Sequence, residues 1–235
     1  MEINDTLFII PARGGSKGLP RKNILPIAGK PMICHTIDAA RGVTSDLNIC
    51  VSTDDAEIKK VVEDYGLKIP FVRPPELATD TAGSREVILH AIDFYKNNLG
   101  KLYSKVCLLQ PTSPLRTAQH ISEAFELWND NLDMIVSVKE TKANPYFNLF
   151  EEDKNGFLKK SKEGDFARRQ DTPKVWEYNG AIYIISTASI KSVPLTHFKS
   201  IDKYVMSETA SVDIDNEMDW FLAEKSINQE IKSTL

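Results

Sequence analysis

The sequence predicts an α/β protein, a three-layer sandwich whose mostly parallel, doubly wound sheet is covered by helices on both faces. Short runs that are apolar throughout alternate with amphipathic segments as far as Val138. This alternation is typical of a parallel sheet buried between helices. After Val138 the alternation stops, which indicates an inserted arm. Because 235 residues suffice for one large domain with a full core, we expect a single domain over residues 1–235.

Strands and helices are predicted in order along the chain. The strands are the apolar runs 7–10, 48–52, 68–72, 105–109, 134–138 and 179–186. The helices are the amphipathic runs 31–41, 54–65, 84–96, 118–128 and 216–231. Pro31 suits the first turn of its helix, and Gly66 suits the position just beyond the end of the next helix. Side chains that bind ligands are then expected where the parallel strands end.

Residues 141–175 are predicted to form the arm. Two short strands flank Asn155-Gly156, a dipeptide that favours a tight hairpin turn. The arm carries several apolar side chains, among them Phe147 and Phe157. A two-stranded hairpin with that surface is marginal alone in water and needs a partner surface. We therefore expect the arm to lie in an interface.

Composition and charge exclude several classes of protein. The net charge is −4 and the isoelectric point is near 5.7, so a general nucleic-acid binder is not expected and an anion must be bound by a local cluster of cations. The three cysteines lie apart in apolar surroundings, as reduced cysteines of a cytoplasmic protein do. No apolar run reaches the roughly 18 residues of a membrane span, and no signal-peptide pattern is present. The expected location is the cytoplasm.

A cluster of cations follows the first predicted strand, in the segment IIPARGGSKGLPRKN over residues 9–23. The cations are Arg13, Lys17, Arg21 and Lys22, and three glycines let the main chain approach a ligand and direct N–H groups at it. The glycine spacing fits neither the P-loop nor the dinucleotide-binding motif. Phosphate binding is the interpretation that we favour. A glycine-rich turn with solvated lysines is the alternative.

Two carboxylates near the end of the chain form a candidate metal site. In SVDIDNEMDW, Asp213 and Asp215 face the same side of an extended segment, with Val212 and Ile214 on the other side. Two carboxylates on one face repel each other unless a cation lies between them. An oxygen site with few protein ligands, completed by phosphate and water, suits Mg²⁺. The alternative is that Asp215 caps the following helix and that Asp213 is merely exposed.

Five segments of the sequence carry a family resemblance. They are PARGGSKGLPRKN, STDD (52–55), LLQPTSPLR (108–116), NGAIYI (179–184) and SVDIDNEMDW (211–220). In this order they resemble the sugar nucleotidyltransferases that activate nonulosonic acids with CTP, the CMP-N-acylneuraminate (CMP-sialic acid) synthetases. Each segment is a weak signal alone, but five in order are specific, and the resemblance covers nearly the whole chain. It implies the nucleotidyltransferase variant of the Rossmann-like fold and a homodimer formed through the arm.

The resemblance also implies a reaction and a set of site residues. The anomeric hydroxyl of the sugar acid attacks the α-phosphate of CTP, which gives a CMP-sugar and pyrophosphate. The implied catalytic residues are Lys22, Arg13, Asp213 and Asp215, and the two aspartates bind Mg²⁺ or Mn²⁺. The residues implied around CTP are Arg13, Gly15, Ser16, Lys17, Lys22, Asn23, Arg73 and Ser84. The residues implied around the sugar acid are Gln110, Arg169, Asn179 and Tyr183.

Several alternatives remain open at the level of the residues. Ser84 can cap a helix, Tyr183 can be a half-buried strand residue, and Arg116 can meet a carboxylate or lie at the surface. The arm has Phe147 in NPYF where some sialic acid enzymes place a lysine, so pseudaminic and legionaminic acids are alternative substrates. A Kdo cytidylyltransferase is the nearest enzymatic alternative. A non-catalytic nucleotide-binding regulator is the alternative from another class.

Overall fold

The computed structural model describes residues 2–15 and 18–234, with side chains as far as residue 229. The strands, in chain order, are β1 (Thr6–Pro11), β2 (Pro26–Ile27), β3 (Lys30–Pro31), β4 (Ile49–Ser52), β5 (Lys105–Leu108), β6 (Met134–Glu140), β7 (Phe150–Glu152), β8 (Leu158–Lys160), β9 (Trp176–Ser186) and β10 (Ile201–Val205). The helices are α1 (Met32–Arg41), α2 (Ala56–Asp64), α3 (Ser84–Leu99), α4 (Ala118–Glu126), α5 (Thr187–Ser192) and α6 (Glu217–Thr234). None of the helices in this part of the chain is long and apolar enough to span a membrane.

The main sheet is mixed, with the strand order β10-β6-β9-β5-β1-β4. β1 is parallel to β4 and β5, and β10 is parallel to β6, whereas β9 is antiparallel to both of its neighbours. The predicted mostly parallel sheet is therefore confirmed, with one reversal in its middle. The reversal follows from the arm, because Glu140 at the end of β6 pairs with Trp176 at the start of β9. The chain leaves the sheet at the end of β6 and re-enters it beside that point, so β9 runs in the direction opposite to β6.

Alternate residues of the strands face opposite helical layers. In β1, Phe8 and Ile10 belong to an apolar cluster shared with α1, α2 and α4, whereas Leu7 and Ile9 belong to a cluster shared with α3 and α5. All four side chains are buried. Burial stabilises the fold by about 25 cal/mol for each Å² of apolar surface removed from water. Because both faces of β1 are buried, polar residues do not alternate with apolar residues along this strand.

The carboxyl ends of β1, β4 and β5 meet at one edge of the sheet. Pro11 at the end of β1 lies opposite Ser52 at the end of β4, and Leu108 at the end of β5 lies opposite Tyr183 of β9. The loop after β1, the turn after β5 and the first half of β9 are thereby placed side by side. This edge is where a ligand site is expected in a doubly wound sheet.

The strand predicted over 68–72 is wrong. This segment forms no ladder in the structure, although the side chain of Ile69 within it is buried. Pro70 inside the segment, and Pro74 and Pro75 just after it, have no N–H to donate to a neighbouring strand. Ile69 is buried and Phe71 is partly buried because the loop packs against the rest of the domain, whereas Val72 is exposed. An apolar run alone does not distinguish that packing from a strand. The short helix α5 and the edge strand β10 are additional elements, and the apolar pattern indicates neither.

The hairpin predicted in the arm is confirmed. β7 and β8 form an antiparallel ladder with each other, and Gly156 turns between them with a φ of 84°, in the left-handed region that favours glycine. Asp153 Oδ1 accepts hydrogen bonds from the N–H groups of Asn155 and Phe157. The side chains of Phe157 and Leu158 are exposed. A single chain therefore leaves the apolar surface of its hairpin uncovered.

Candidate active site

A cleft lies over the edge where the parallel strands end, and it has two adjoining parts. The Arg73 pocket, of about 250 Å³, lies between the end of β1 and the start of α3 and contains Arg73 and Ser84. The Asp213 pocket, of about 420 Å³, lies between the loop after β1 and the segment before α6 and contains Lys22, Asp213 and Asp215. The two pockets share three residues, namely Pro11, Arg13 and Gln110. They therefore form one continuous site.

Two aspartates of STDD anchor the start of the cationic loop. Asp54 Oδ1 accepts a hydrogen bond of 3.1 Å from the N–H of Gly14. Asp55 caps α2 through the N–H groups of Glu57 and Ile58, and it lies so close that a Cβ on Gly14 would be 2.6 Å from its Oδ2. Glycine is therefore needed at position 14 to let the loop pass. Ser16 and Lys17, which are predicted to bind phosphate, lie outside the described residues.

Lys22 crosses the cleft to the acidic segment. Its Nζ lies 2.6 Å from the carbonyl oxygen of Ile214 and 2.9 Å from Asp215 Oδ1. Only 12% of the Lys22 side chain is exposed, so the alternative of a solvated lysine does not describe it. The buried Asn23 holds the same turn by donating a hydrogen bond from Nδ2 to the carbonyl of Arg13. Lys22 is thus a positioned cation and not a mobile surface charge.

The helix cap before α6 belongs to Asn216, not to Asp215. Asn216 Oδ1 accepts hydrogen bonds from the N–H groups of Met218 and Asp219, and Asp219 Oδ2 accepts hydrogen bonds from the N–H groups of Asp215 and Asn216. The alternative in which Asp215 caps the helix is therefore wrong, and its carboxylate lines the cleft. Asp219 has a role that the sequence analysis missed, although Asn-x-x-Asp before a helix is the spacing of a reciprocal cap.

Asp213 is a carboxylate in an unfavourable environment. It is open to the cleft but surrounded by protein on its other sides, and this burial raises the pKa of Asp213 above its usual range. The negative charges of Asp215 and Asp219 raise the pKa further, whereas a hydrogen bond with Thr112 and the charge of Lys22 oppose the rise. A bound cation relieves this repulsion. Two cleft-facing carboxylates fit Mg²⁺, which binds through one or two carboxylates together with phosphate and water oxygens.

The Arg73 pocket is built around a buried arginine. Arg73 Nε donates to Ser52 Oγ at 3.0 Å and Nη2 donates to the Ser52 carbonyl at 2.5 Å, so Arg73 holds the end of β4. Burial lowers the pKa of Arg73 below its usual value. Ser84 is the first residue of α3, and the cap position is taken by Gly83 without a side-chain hydrogen bond. The capping alternative for Ser84 is therefore wrong, and Ser84 lines the pocket.

Arg13 joins the two pockets and is paired across the Arg73 pocket. Its Nη1 lies 2.6 Å from Oδ1 of Asp80, a residue of the loop that precedes α3. Both side chains are partly exposed, at 33% and 48%, so solvent screens this pair and it contributes little to stability. Asp80 is not predicted as a site residue from the sequence, because only the fold brings its loop to the end of β1.

The four residues predicted to bind the sugar acid are divided between the cleft and its surroundings. Gln110 lines both pockets, and Tyr183 lines the Asp213 pocket, where burial raises its pKa. Asn179 is buried behind the cleft, with its carboxamide bonded to Ser137, Ser211 and the N–H of Ala181. Arg169 lies in a separate pocket at the base of the arm. A single chain therefore brings Gln110 and Tyr183 together but leaves Arg169 outside the cleft.

Arg116 does not lie at the surface, and no carboxylate of the described residues pairs with it, so both sequence-based alternatives are wrong. Its side chain is 2% exposed. Nη1 donates to the carbonyl oxygens of Gln110 at 3.1 Å and of Ala181 at 3.0 Å. Arg116 therefore contacts the backbone on two sides of the cleft.

Comparison with known proteins shows the family to which the chain belongs. Residues 7–219 match the family model described as Cytidylyltransferase. The match covers most of the chain, including the cationic loop, Gln110, Tyr183 and the acidic segment. The protein belongs to the cytidylyltransferase family.

Two curated relatives resemble the chain over most of its length. The CMP-N,N'-diacetyllegionaminic acid synthase of Legionella pneumophila is 36% identical over 95% of this chain and 97% of its own length. The N-acylneuraminate cytidylyltransferase of Streptococcus agalactiae is 36% identical over 91% of this chain, which spans about half (51%) of that relative. This chain therefore corresponds to about half of the longer relative.

A solved structure shares the fold. The CMP:2-keto-3-deoxy-manno-octonic acid synthetase, determined in complex with CTP, matches 97% of this chain and 100% of its own with a TM-score of 0.68. The sequence identity is 18%. This likeness confirms the nucleotidyltransferase type of α/β fold that the sequence predicts.

Gly18→Ala is expected to destabilise the protein, because a Cβ at position 18 would lie 2.2 Å from the main-chain oxygen of Asp215. Forcing the loop away from the acidic segment should lower the free energy of unfolding by about 1–3 kcal/mol, measured by urea denaturation. Gly15→Ala is the matched control, because no atom of the described residues, apart from those of its chain neighbours, lies within 4 Å of that Cβ position. Equal unfolding free energies for the two variants would contradict the close approach of the loop.

Asp213→Asn is expected to raise the melting temperature of the metal-free protein at neutral pH. The folded-state pKa of Asp213 is raised above the ordinary value of 3.8. The wild type therefore loses stability as the pH rises from that value through the raised pKa.

The advantage of the Asp213→Asn variant should be small at acidic pH and should grow as the pH rises through this window. Melting temperatures measured in EDTA over a pH series test this expectation. Asp165→Asn, at an exposed position of the arm, is the control and should show no growing advantage. An advantage of Asp213→Asn that does not change with pH would show that the carboxylate is not the cause.

Proposed function

We propose that the protein transfers CMP from CTP to the anomeric hydroxyl of a nonulosonic acid, forming CMP-N-acylneuraminate and releasing pyrophosphate. One observation carries the proposal. A single cleft joins the Arg73 pocket to the Asp213 pocket through Arg13 and Gln110, in a chain of the cytidylyltransferase family. The names of the relatives supply the class of acceptor, a nine-carbon acidic sugar.

The cytidine is proposed to bind in the Arg73 pocket and the triphosphate along the loop after β1. Ser84 and the backbone around Arg73 are the polar groups that would meet the cytosine edge. Arg13, Gly15, Lys22 and Asn23, with Ser16 and Lys17, are proposed to bind the phosphates through charge and N–H groups. Arg13 would exchange Asp80 for a phosphate oxygen, an exchange that costs little because the existing pair is partly exposed.

Lys22 is proposed to stabilise the negative charge that develops as the sugar hydroxyl attacks the α-phosphate in line. A fixed cation is effective in this role because it needs no reorganisation during the reaction. Its contacts with Ile214 and Asp215 hold the ammonium group in place before substrates arrive. The three helical histidines, His35, His90 and His120, do not line the two pockets.

Asp213 and Asp215 are proposed to bind Mg²⁺, or Mn²⁺ in its place. A bound divalent cation would neutralise phosphate charge and lower the pKa of a coordinated hydroxyl. The support is the donor set, two carboxylate side chains facing one cleft, and the raised pKa of Asp213. Asp213 is the stronger ligand candidate, because Asp215 is already bonded to Lys22.

The sugar acid is proposed to lie against Gln110 and Tyr183. A carboxamide donates and accepts hydrogen bonds at once, and the Tyr183 ring packs edge-on against Tyr178 with centroids 6.2 Å apart. N-acylneuraminate is the proposed acceptor. Legionaminate, pseudaminate and Kdo are the alternatives. The cytoplasm is the proposed location, supported by three buried free cysteines.

Pyrophosphate release from a panel of nucleotides and sugar acids tests the proposal. CTP should be used far better than UTP or ATP, because a wrong base edge leaves buried polar groups unpaired. N-acylneuraminate should exceed legionaminate, pseudaminate and Kdo in kcat/KM. Comparable turnover with UTP would refute the cytidylyltransferase proposal. CTP binding without turnover of any acid would favour the non-catalytic regulator.

Lys22→Ala is expected to lower kcat by about 10²–10³-fold, since it removes one preorganised charge from the reacting phosphate. Lys30→Ala is the matched control. Lys30 forms an ion pair with Asp38 away from the cleft, so kcat should stay near that of the wild type. Steady-state pyrophosphate release measures both variants. A Lys22→Ala enzyme within a few-fold of the wild type would refute the proposed role.

Phe157→Glu is expected to prevent dimerisation and to raise KM for the sugar acid, with CTP binding less affected. We propose that the arm of one subunit packs on a second copy and brings Arg169, which is outside the cleft of its own chain, toward the neighbouring sugar site. Phe221→Glu is the matched control, because Phe221 is an exposed phenylalanine on α6. Light scattering and kinetics measure both variants. A fully active monomer would contradict the proposed homodimer.

A further inference from the structure

The guanidinium of Arg116 lies where the ladder between β5 and β9 opens. The last paired residues are Leu108 and Tyr183. Continuing this antiparallel register would place Gln110 opposite Ala181, but these two residues do not pair directly. Instead Arg116 Nη1 donates to both of their carbonyl oxygens, at 3.1 Å and 3.0 Å. One side chain thus replaces the hydrogen bonds that the strands would have made with each other.

The residues on both sides of this bridge line the cleft. Gln110 belongs to both pockets. On β9, Gly180 and Tyr183 line the Asp213 pocket, and Ala181 lies between them in the chain. Gly180 has a φ of 77°, so β9 bends at this point in a conformation that favours glycine. The bridge therefore spans the place where the two strands separate to form a wall of the site.

The turn that carries Arg116 also supports the acidic segment. The carbonyl of Thr112 accepts a hydrogen bond of 2.9 Å from the N–H of Ile214, and the side chain of Thr112 is near enough to Asp213 to lower the pKa of that carboxyl. The N–H of Arg116 donates to the carbonyl of Ser113 and closes the turn. A shift of this turn would therefore move Gln110 and Asp213 together.

An arginine at this position is not explained by stability. Among the described residues, Nε and Nη2 of Arg116 are buried without a hydrogen-bond partner, and no carboxylate pairs with the guanidinium. Burial lowers the pKa of Arg116 to about 10, which leaves it charged at neutral pH. An unpaired buried charge is costly, and an apolar side chain of similar volume is often at least as stable.

We infer that Arg116 is a positioning residue, which bridges the opening between β5 and β9 and sets the separation of Gln110 from Tyr183 across the sugar-acid part of the cleft. The inference rests on the proposed function, because that proposal assigns Gln110 and Tyr183 to the acceptor. Arginine suits the role because its planar fork presents several donors in a fixed geometry. Small displacements of positioning groups have large effects on rate.

Arg116→Met tests the inference, since methionine fills similar space without donors. The kcat/KM for N-acylneuraminate at saturating CTP should fall by about 10²-fold, whereas the Kd for CTP, measured by calorimetry, should change little because Arg73 and Ser84 are undisturbed. Arg116→Lys should recover part of the loss, because an ammonium group still donates to the carbonyls. Unchanged kinetics in Arg116→Met would overturn the inference.

Val62→Ala separates positioning from simple loss of stability. Val62 is buried in α2, away from the cleft, so this variant should lose melting temperature and keep kcat/KM. A similar kinetic loss in Val62→Ala would overturn the inference. If Arg116→Met fails to fold, Arg116→Lys decides alone: a selective fall in sugar-acid kcat/KM supports the inference, and no fall, or an equal fall in CTP affinity, overturns it. The activity of the wild-type enzyme in the same assay tests the proposed function. The ratio of the variant's kcat/KM to that of the wild type tests the role of Arg116.

Discussion

The contact between Lys22 and the acidic segment is the constraint on which the cleft depends. It joins residues 193 positions apart in the chain, a loop at the end of β1 and the segment before α6. The same two segments touch where Gly18 passes the main chain of Asp215. Asp54 and Asn23 hold the start and the turn of the cationic loop, and the Lys22 contact fixes the end of the loop against the acidic segment. A cluster of cations can bind phosphate specifically only when its geometry is defined, because mobile surface lysines act mainly as screened charges.

The charges in the cleft are only partly balanced by one another. Lys22 balances Asp215, and Arg13 is paired with Asp80. Asp213 is left with a raised pKa among other carboxylates. Such an arrangement costs stability in the isolated protein and is typical of functional sites, where strongly perturbed groups cluster. In the proposed function, a divalent cation and the triphosphate of CTP would supply the charges that the protein alone does not balance.

Two buried arginines show a second compromise between stability and geometry. Arg73 donates to the Ser52 carbonyl at the end of β4, and Arg116 donates to carbonyls beyond the ends of β5 and of its partner β9. Both donate to main-chain carbonyls where the strands end and the cleft begins. The Ser52 carbonyl also accepts a hydrogen bond from the N–H of Ala12, so Arg73 is a second donor there, whereas Arg116 spans two strands that no longer pair.

Local sequence determined the layers of the fold, the loop chemistry and the arm. Apolar runs such as 7–10 and 134–138 can be buried only on both faces of a sheet, and Asn155-Gly156 favours a hairpin on local grounds alone. The five motifs were also sufficient for the family, because their order along the chain is itself information. The residues that cap α6 and α3 were not determined in this way, because Asp215, Asn216 and Ser84 all have side chains that can cap a helix.

Tertiary structure decided which of the candidate residues meet. The sequence pattern of 68–72 is that of a strand, but the segment is a loop that contains Pro70 and precedes Pro74 and Pro75. Asn179 has the chemistry of a ligand contact, yet the bend of β9 turns it into the core. Arg169 has the chemistry to bind a carboxylate, yet the arm carries it away from the cleft of its own chain. Composition and spacing specify what a side chain can do, whereas its partners depend on contacts between segments far apart in the chain, which only the assembled sheet brings together.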